Sequence, residues 1–523
     1  MSAKVLNHIQ RALFPREGDD LRVLMVAPEC TPYANVGGFS RVLGYLSREL
    51  LGLGVDVRIF MPKFGQIDEE QYHMEVVFEG LEVPTGADGG EGEPLICNVK
   101  QHQIPGGAIV YFLENMEYYE KRANVYGYSD DPLRWALLSR GALEFLRHSD
   151  WIPHVVHCND WETGHIPNYL RTVYKNDPDL LSVASLFTMH NLQYQGVFDH
   201  RDTSEIDSDD GRSEIAPLFS KRLTKQNFMK RGILYADVIN AVSETYAKEI
   251  LTPEFGEGLD RLLLEVRSKL FGVVNGIDYD EFNPRTDKLI PQNYDVESFG
   301  KRVKNKLALQ KEFSLPQGED IFVMGFVGRI TEQKGLSLVG EVLRPLLKDF
   351  KAQFVIIGDG DRKYKDVFKQ LKEEYPEKVG LHLMSNFTLP RLIFSGSDVL
   401  LHPSKFEPCG ITQLEAMRYG SVPIVRAVGG LADTVVSFDS QTGEGTGFTF
   451  RGFDKWELFA QIVRAYENFH HPAVWKKLAR QSMRADFSWA ASAKRYVELY
   501  HKALHFRHQD LVAQGIVPTG GGS

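Results

Sequence analysis

Two carboxylates stand eight positions apart in the segment with the strongest chemical signal, residues 405–417. The segment follows an apolar run that predicts a strand at residues 398–402, and Gly410, Ile411 and Thr412 predict the start of a helix. Free N–H groups at a helix start form an anion site suited to a diphosphate. Glu407 and Glu415 could both face one ligand, since carboxylates accept hydrogen bonds from sugar hydroxyls. The residues leave an alternative open, in which Glu407 caps the helix and Glu415 is solvated.

Two basic residues, Arg329 and Lys334, follow a second apolar run at residues 321–327. Open α/β sheets bind ligands at the carboxyl ends of their strands, where these residues would lie. Arg can hold a diphosphate with two parallel hydrogen bonds, and Lys can do so as a point charge. Their position at a strand end favours this role over that of two ordinary exposed cations.

Polar residues also end two predicted strands in the first half of the chain. His190 and Asn191 follow the apolar run 182–190, where they could hydrogen-bond sugar hydroxyls, although a lone histidine is often structural. Asp160 and Trp161 follow the run 155–157 and could face a saccharide. A helix cap followed by a core aromatic residue explains that second pair equally well.

Two other patterns predict no chemistry. Asp359-Gly360-Asp361 imitates an Asp-x-Asp metal motif, but its Gly-Asp-Gly-Asp setting after a strand predicts a turn. Cys409 has no histidine nearby in the sequence to activate it, so packing is its expected role. The four cysteines show neither paired nor metal-ligand spacing, which is typical of free thiols in a reducing compartment. We therefore expect no metal and no cofactor.

Two series of short apolar runs alternate with helical patterns and must position these residues. Such runs predict parallel sheets covered on both faces, and two series predict two doubly wound α/β domains facing a central cleft. The predicted domains are residues 1–270, with a C-terminal helix 486–507 packing back on them, residues 271–485, and a tail at 508–523. The runs lie at residues 21–27, 55–61, 108–113, 155–157 and 182–190, then at 270–274, 321–327, 354–357, 399–402 and 423–425.

Length and charge exclude several classes of protein. A chain of 523 residues is too long for a single core. A net charge of −10 argues against nucleic acid or an anionic membrane as the main partner. No apolar run approaches the roughly 20 residues of a membrane span, and the N-terminus lacks the features of a secretory signal. We therefore expect a cytoplasmic protein; the sequence does not determine its oligomeric state.

The motifs, taken in chain order, resemble the bacterial and plant glycogen/starch synthase family, whose GT-B architecture has two Rossmann-like domains. The resemblance covers most of the chain, from about Leu21 to Ala503. One motif alone would be weak evidence, but their common order is highly specific. The matching segments are residues 27–30, 37–38, 157–161, 190–196, 252–259, 275–278, 329–335, 407–413 and 429–434.

The resemblance implies transfer of glucose from a nucleoside diphosphate glucose to the non-reducing end of an α-1,4-glucan, with retention of the anomeric configuration. ADP-glucose is the expected donor, and UDP-glucose is the second choice. Arg329 and Lys334 would hold the diphosphate, and Glu407 and His190 would lie beside the donor glucose. Further donor contacts would come from Gly38, Asn275, Gly410, Ile411, Thr412 and Glu415, and acceptor or sugar contacts from Asp160, Asn191 and Tyr194.

Glu415 stands where this family often has tyrosine, and three further departures from the family pattern bear on the nucleobase and the acceptor. Asn35 stands where the family usually has a phosphate-facing lysine, Arg41 replaces an acidic residue, and Ser385 replaces a tyrosine that stacks on the donor base. These changes weaken the assignment of nucleobase and acceptor. Two alternatives follow: a related glycosyltransferase with another donor or acceptor, or a weakened glucan-binding protein.

Overall fold

The computed structural model describes residues 20–87, 92–198 and 209–518. The segment in which we looked for a secretory signal lies almost wholly outside the described residues. The chain divides into two compact units. Unit 1 comprises Met1–Val242, Ala247–Val273 and Trp489–Ser523, and unit 2 comprises Ser243–Tyr246 and Val274–Ser488.

Unit 1 is built on a sheet of nine strands within the described residues, in the order β3-β4-β5-β2-β1-β6-β7-β8-β9. Neighbours from β5 through β9 in this order pair in parallel, and their residues are mostly buried, as continuous apolar runs predict. The strands are β1 (Arg22–Val26), β2 (Asp56–Pro62), β3 (Glu75–Val83), β4 (Leu95–Gln103), β5 (Ile109–Glu114), β6 (Val155–Asn159), β7 (Ala184–Met189), β8 (Val238–Ala241) and β9 (Leu270–Gly272).

Helices join these strands. The short helix α5 lies across the boundary between the stretches assigned to the two units. The helices are α1 (Ser40–Gly52), α2 (Asp131–Arg147), α3 (His165–Arg171), α4 (Phe228–Tyr235), α5 (Glu244–Glu249) and α6 (Asp260–Glu265).

Unit 2 is built on a sheet of six strands within the described residues, all pairing in parallel, in the order β12-β11-β10-β13-β14-β15. The strands are β10 (Phe322–Val327), β11 (Ala352–Ile357), β12 (Val379–His382), β13 (Val399–His402), β14 (Val422–Arg426) and β15 (Phe448–Phe450). The helices are α7 (Val303–Glu312), α8 (Leu336–Asp349), α9 (Arg362–Glu374), α10 (Leu389–Gly396), α11 (Thr412–Arg418), α12 (Gly429–Thr434), α13 (Lys455–Phe469) and α14 (Pro472–Arg484).

Two doubly wound sheets confirm the predicted fold class. Strands β8, β12 and β15 lie outside the predicted apolar runs, and unit 1 differs in two further respects. The run that begins at Leu270 forms β9, which pairs with β8 and so belongs to the first sheet and not to the second series. Strands β3 and β4 form an antiparallel hairpin beside β5, which the sequence analysis did not predict. Seven of the nine residues of β3 are not buried, so this strand lacks the continuous apolar run that marks the others.

The terminal helix α15 (Trp489–Ala513) belongs to unit 1. Its Tyr500 hydroxyl lies 3.0 Å from Nδ1 of His157, and its Tyr496 hydroxyl accepts a hydrogen bond from Asn240 at 3.2 Å. The helix is longer than expected, and residues 508–517 do not form a loose tail. Leu511 and Val517 are buried against Leu181, which fixes this end of the chain.

None of the helices in the described residues combines the length and apolar character that crossing a membrane requires.

The packing of α15 predicts a stability effect. Tyr496 is fully buried, so Tyr496→Ala should leave a cavity and lower the free energy of unfolding of unit 1 by about 3 kcal/mol. Urea denaturation followed by circular dichroism measures this change. Glu498→Ala, on an exposed position of the same helix, is the control and should leave the midpoint unchanged. Equal midpoints for both variants would show that α15 does not stabilise the unit.

Candidate functional site

The two best-marked motifs meet at one edge of the unit 2 sheet. Strands β10 and β13 are neighbours although they are not consecutive, so the sheet changes its direction of growth between them. Open α/β sheets bind ligands at this switch point, outside the carboxyl ends of the strands. Arg329 follows β10 and Glu407 follows β13, which places both loops at this edge.

A buried ion pair joins the two loops. The Lys334 ammonium lies 2.5 Å from Oε2 of Glu407, whose side chain is only 8% exposed. The same oxygen accepts a hydrogen bond from the Ser404 hydroxyl at 2.9 Å and lies 2.9 Å from Nε2 of His402. Burial alone would raise the pKa of the Glu407 carboxyl, but the charge of Lys334 and the contact with His402 hold that pKa well below its usual range. Glu407 is therefore a carboxylate at any physiological pH.

Gln333 and Gly335 hold the loop after β10 against the loop after β13. The Lys405 N–H donates to the carbonyl of Gln333 at 2.8 Å, and Arg329 donates to the Gln333 side chain at 3.1 Å. Gly335 adopts a φ of 71°, and a Cβ there would lie 2.1 Å from the carbonyl oxygen of Pro403. Only glycine fits this close approach, which brings Lys334 to Glu407. Arg329 remains exposed.

The predicted helix start is present beside this ion pair. Gly410 has a φ of 73°, Ile411 is the cap residue, and α11 begins at Thr412. Glu415 lies in the first turn of α11 and is half-buried. The N–H groups of Leu414 and Glu415 donate to the Ile411 carbonyl, at 2.9 and 3.0 Å. The N–H groups that precede them at a helix start have no acceptor within their own helix and are the ones that an anion could use.

Asn275 lies next to this segment in unit 2, where its backbone hydrogen-bonds the Cys409 sulfur. Its side-chain oxygen is buried without a partner among the described residues. Burial raises the pKa of the Cys409 thiol to about 12, so the thiolate nucleophile is absent at neutral pH and Cys409 packs as predicted.

In unit 1, Asp160 also lies at a switch point, here between β1 and β6, and His190 follows the adjacent strand β7. Asp160 follows β6, and its carboxylate accepts the backbone N–H of His190 at 3.1 Å. Asp160 is buried with a φ of 60°, a conformation that is strained for a residue with a side chain. Burial raises its pKa to about 7, against which the backbone N–H groups of His190 and Asn191 act.

The His190 ring is held in a neutral state. Nε2 lies 3.1 Å from Oδ1 of Asn159, and the ring packs against Phe39 with centroids 5.0 Å apart. Burial lowers the pKa of His190 to about 3. A neutral imidazole can hydrogen-bond a sugar hydroxyl without adding charge. Asn191 instead accepts the N–H of Gln193 at 3.1 Å, in a local turn.

The other sugar-lining candidates differ in exposure and packing. Tyr194 is 50% exposed and free to contact a ligand. Trp161 packs against the rings of Trp135, Phe198 and Phe228, which supports the core-aromatic interpretation of that residue.

The glycine turn of unit 1 is held by Glu29, which lies in the matching segment 27–30 and for which the sequence predicted no role. Its carboxylate accepts the N–H groups of Val36 and Gly37, at 2.5 and 3.0 Å. Gly38 is exposed, and nothing lies within 4 Å of the position that a Cβ would take. The sequence signal for this role was an acidic residue two positions after the apolar run 21–27.

The three departures that bear on the nucleobase and the acceptor are all accessible. Asn35 is exposed, and its side-chain oxygen accepts the Ser40 hydroxyl at 2.5 Å. Arg41 is half-buried, and its side chain makes no hydrogen bond or ion pair with other described residues. Ser385 is exposed in the loop after β12.

The Asp-x-Asp pattern lies in an irregular loop and not in the predicted turn: Gly360 forms an isolated bridge with Ile330, whose N–H donates to the Asp359 carbonyl at 2.7 Å. Gly358 and Gly360 adopt φ values of 158° and 150°, and Asp359 is paired with Lys365. Among the described residues, one group of acidic side chains has oxygens close enough together to hold a metal ion: Glu69, Glu114 and Glu120. Lys63 and Lys100 already form ion pairs with that group.

Comparisons with known proteins identify the family to which the chain is related. Residues 22–265 match the family model described as starch synthase catalytic domain, and residues 309–482 match that of glycosyl transferases group 1. The chain is 39% identical over 500 residues to a glycogen synthase of Moorella thermoacetica, covering 95% of this chain and 99% of that one. It is 40% identical to a glycogen synthase of Bacillus cereus, covering 92% of this chain and 100% of that one.

A solved structure is similar over the same range. The catalytic domain of starch synthase IV from Arabidopsis thaliana, bound to ADP and acarbose, has a TM-score of 0.80 and 29% identity. The match covers 93% of this chain and 100% of that one. The fold is therefore that of the GT-B glycosyltransferases, and the resemblance drawn from the motifs is confirmed.

The environment of Asp160 predicts a pH effect on stability. Its pKa in the fold lies above the ordinary value of 3.8, so ionisation between about pH 4 and pH 7 opposes folding. Asp160→Asn removes this ionisation, so the stability of the variant relative to the parent should rise across that window and level off above pH 7. Thermal unfolding of both proteins from pH 4 to 8 measures it. A difference that does not change with pH would contradict the raised pKa.

Proposed function

We propose, because the chain belongs to the glycogen and starch synthase family of glycosyltransferases, that it transfers glucose from ADP-glucose to the non-reducing end of an α-1,4-glucan with retention of configuration. Family membership rests on relatives that are about two-fifths identical over nearly the whole chain. The chain is thus a glycosyltransferase, and its relatives support glucosyl transfer of the glycogen or starch synthase type.

The proposal rests on the two positive charges, those of Lys334 and Arg329, at the unit 2 switch point. Lys334 is fixed by Glu407, and Arg329 is exposed within reach of the same loops. A departing nucleoside diphosphate gathers negative charge as its bond to glucose breaks. Preorganised cations stabilise that charge most in the transition state, and this lowers the barrier.

The reaction is balanced without a covalent enzyme intermediate. The bond between glucose C1 and the diphosphate oxygen breaks, and the acceptor hydroxyl forms a new bond to C1 on the same face. The proton of that hydroxyl passes to the departing diphosphate oxygen. Glu407 is already held by Lys334 through Oε2, so we assign it to binding glucose hydroxyls and not to attack on C1.

The choice of ADP-glucose is supported by the starch synthase IV structure, which was solved with ADP. Asn35, Arg41 and Ser385 lie where the family contacts the donor, so the nucleobase is the part of the proposal that most needs a direct test.

Loss of the cation in the ion pair should abolish most of the activity. Lys334→Ala should lower kcat on the order of a hundredfold or more, because it removes a charge that acts on the leaving group. Release of nucleoside diphosphate from ADP-glucose in the presence of glycogen measures this. Lys351→Ala, which removes an exposed ion-paired lysine of unit 2, is the matched control and should retain activity. Normal rates for Lys334→Ala would remove that lysine from the site.

The donor and the stereochemistry can be tested together. Incubation with ADP-, UDP- and GDP-glucose, each with and without glycogen, should give fastest diphosphate release with ADP-glucose and lengthened chains with glycogen. Proton NMR of the product should show new α linkages. Diphosphate release without chain lengthening would indicate another acceptor, β linkages would contradict retention, and release from none of the donors would favour a binding protein or a different donor sugar.

A further inference from the structure

The two oxygens of the Glu407 carboxylate have different surroundings. Oε2 is contacted by three groups: the Lys334 ammonium at 2.5 Å, the Ser404 hydroxyl at 2.9 Å and Nε2 of His402 at 2.9 Å. None of the described residues donates a hydrogen bond to Oε1. The carboxylate is therefore anchored through one oxygen, and the other oxygen is left to accept hydrogen bonds from a ligand.

We propose that His402 is a positioning residue, which with Ser404 orients the Glu407 carboxylate so that Oε1 is presented to the donor glucose. This inference rests on the proposed function, in which Glu407 contacts that glucose.

The backbone at His402 is well suited to this role. His402 is the last residue of β13, where it pairs with Val425 of β14, and its side chain is only 5% exposed. The backbone of His402 is therefore held by the sheet, and burial restricts the movement of its imidazole. Lys334 cannot supply the same constraint, because its ammonium is a point charge at the end of a flexible stem. Directional donors are needed to fix the plane of a carboxylate whose own side chain has several rotatable bonds.

The protonation state of His402 follows from its partners. Glu407 is ionised, so Nε2 carries the hydrogen and donates it to Oε2. Nδ1 is then a buried acceptor, and it has no partner among the described residues. Burial lowers the pKa of His402, and Lys334 acts in the same direction, although the contact with Glu407 opposes them. The group of three side chains thus contains one positive charge, one negative charge and a neutral imidazole.

A purely structural role does not explain this arrangement. An aliphatic side chain would fill the end of β13 without burying an unpartnered nitrogen, which costs about 1–3 kcal/mol. The polar contact with Glu407 is what offsets that cost, so the position of the imidazole is explained by the carboxylate that it orients.

The first test compares His402→Gln with His402→Leu. The Gln amide nitrogen takes nearly the place of Nε2 and can donate to Oε2, whereas Leu fills similar space without a donor. We expect kcat to fall about ten- to hundredfold in the Leu variant, by analogy with partners that orient metal ligands, with KM for ADP-glucose changed less than about threefold. The Gln variant should recover most of kcat. Equal losses of kcat in both variants would show that packing alone matters.

A control variant and a double-mutant cycle with Glu407 make this test more specific. His382 ends β12 of the same sheet and makes no described side-chain hydrogen bond, so His382→Leu should leave kcat unchanged. In a Glu407→Gln background, His402→Leu should cost much less than it does in the parent, because there is no carboxylate left to orient. Additive losses of kcat would overturn the proposal.

A crystallographic comparison does not depend on activity. The Glu407 carboxylate of the parent should be ordered with Oε2 toward His402, and in His402→Leu it should be rotated or disordered. An unchanged Glu407 in the Leu variant would overturn the positioning role. An inactive parent with a Glu407 that does respond to His402→Leu would instead refute the proposed function alone.

Discussion

The ion pair between Lys334 and Glu407 is the constraint on which the unit 2 site depends. A buried carboxylate without a partner costs several kcal/mol, and at Glu407 the fold offsets this cost with the cation of Lys334. This pairing explains the glycine at position 335, which lets the loop after β10 approach Pro403 closely. It also explains why the motif after β10 and the motif after β13, distant in the chain, are both needed. Each charge alone would destabilise the loop in which it lies.

In unit 1, two buried acids are paired with backbone N–H groups and not with a cation. The carboxylates of Asp160 and Glu29 are held by backbone N–H groups, and burial raises the pKa of both acids. His190 is kept neutral by the same burial. One unit therefore offers fixed opposite charges and the other offers mostly neutral polar groups. Fixed positive charge suits a diphosphate, and neutral donors and acceptors suit sugar hydroxyls, which carry no charge to be balanced.

The sequence predicted the features that leave a local signature. Apolar runs marked most of the parallel strands, and Arg329, Lys334 and Glu407 were predicted as site residues because they follow such runs. The roles of His402 and Ser404 were not predicted, because they depend on contacts with the Glu407 carboxylate that only the folded loop creates. Strand β3 was missed because most of its residues are exposed, and β9 was assigned to the wrong series because an apolar run does not reveal which sheet it joins.

The departure at Asn35 shows why a changed motif need not mean a changed fold. The family usually has a lysine there, and its loss removes a charge. Within the described part of the chain, the Asn35 side chain hydrogen-bonds only the Ser40 hydroxyl, whereas Glu29 holds the backbone N–H groups of Val36 and Gly37 in the glycine turn. A Cβ at Gly37 would lie 2.8 Å from Oε1 of Glu29, so the glycine and the acid fit each other. Substitution at position 35 therefore alters the charge offered to a ligand while the turn that presents Gly38 is retained.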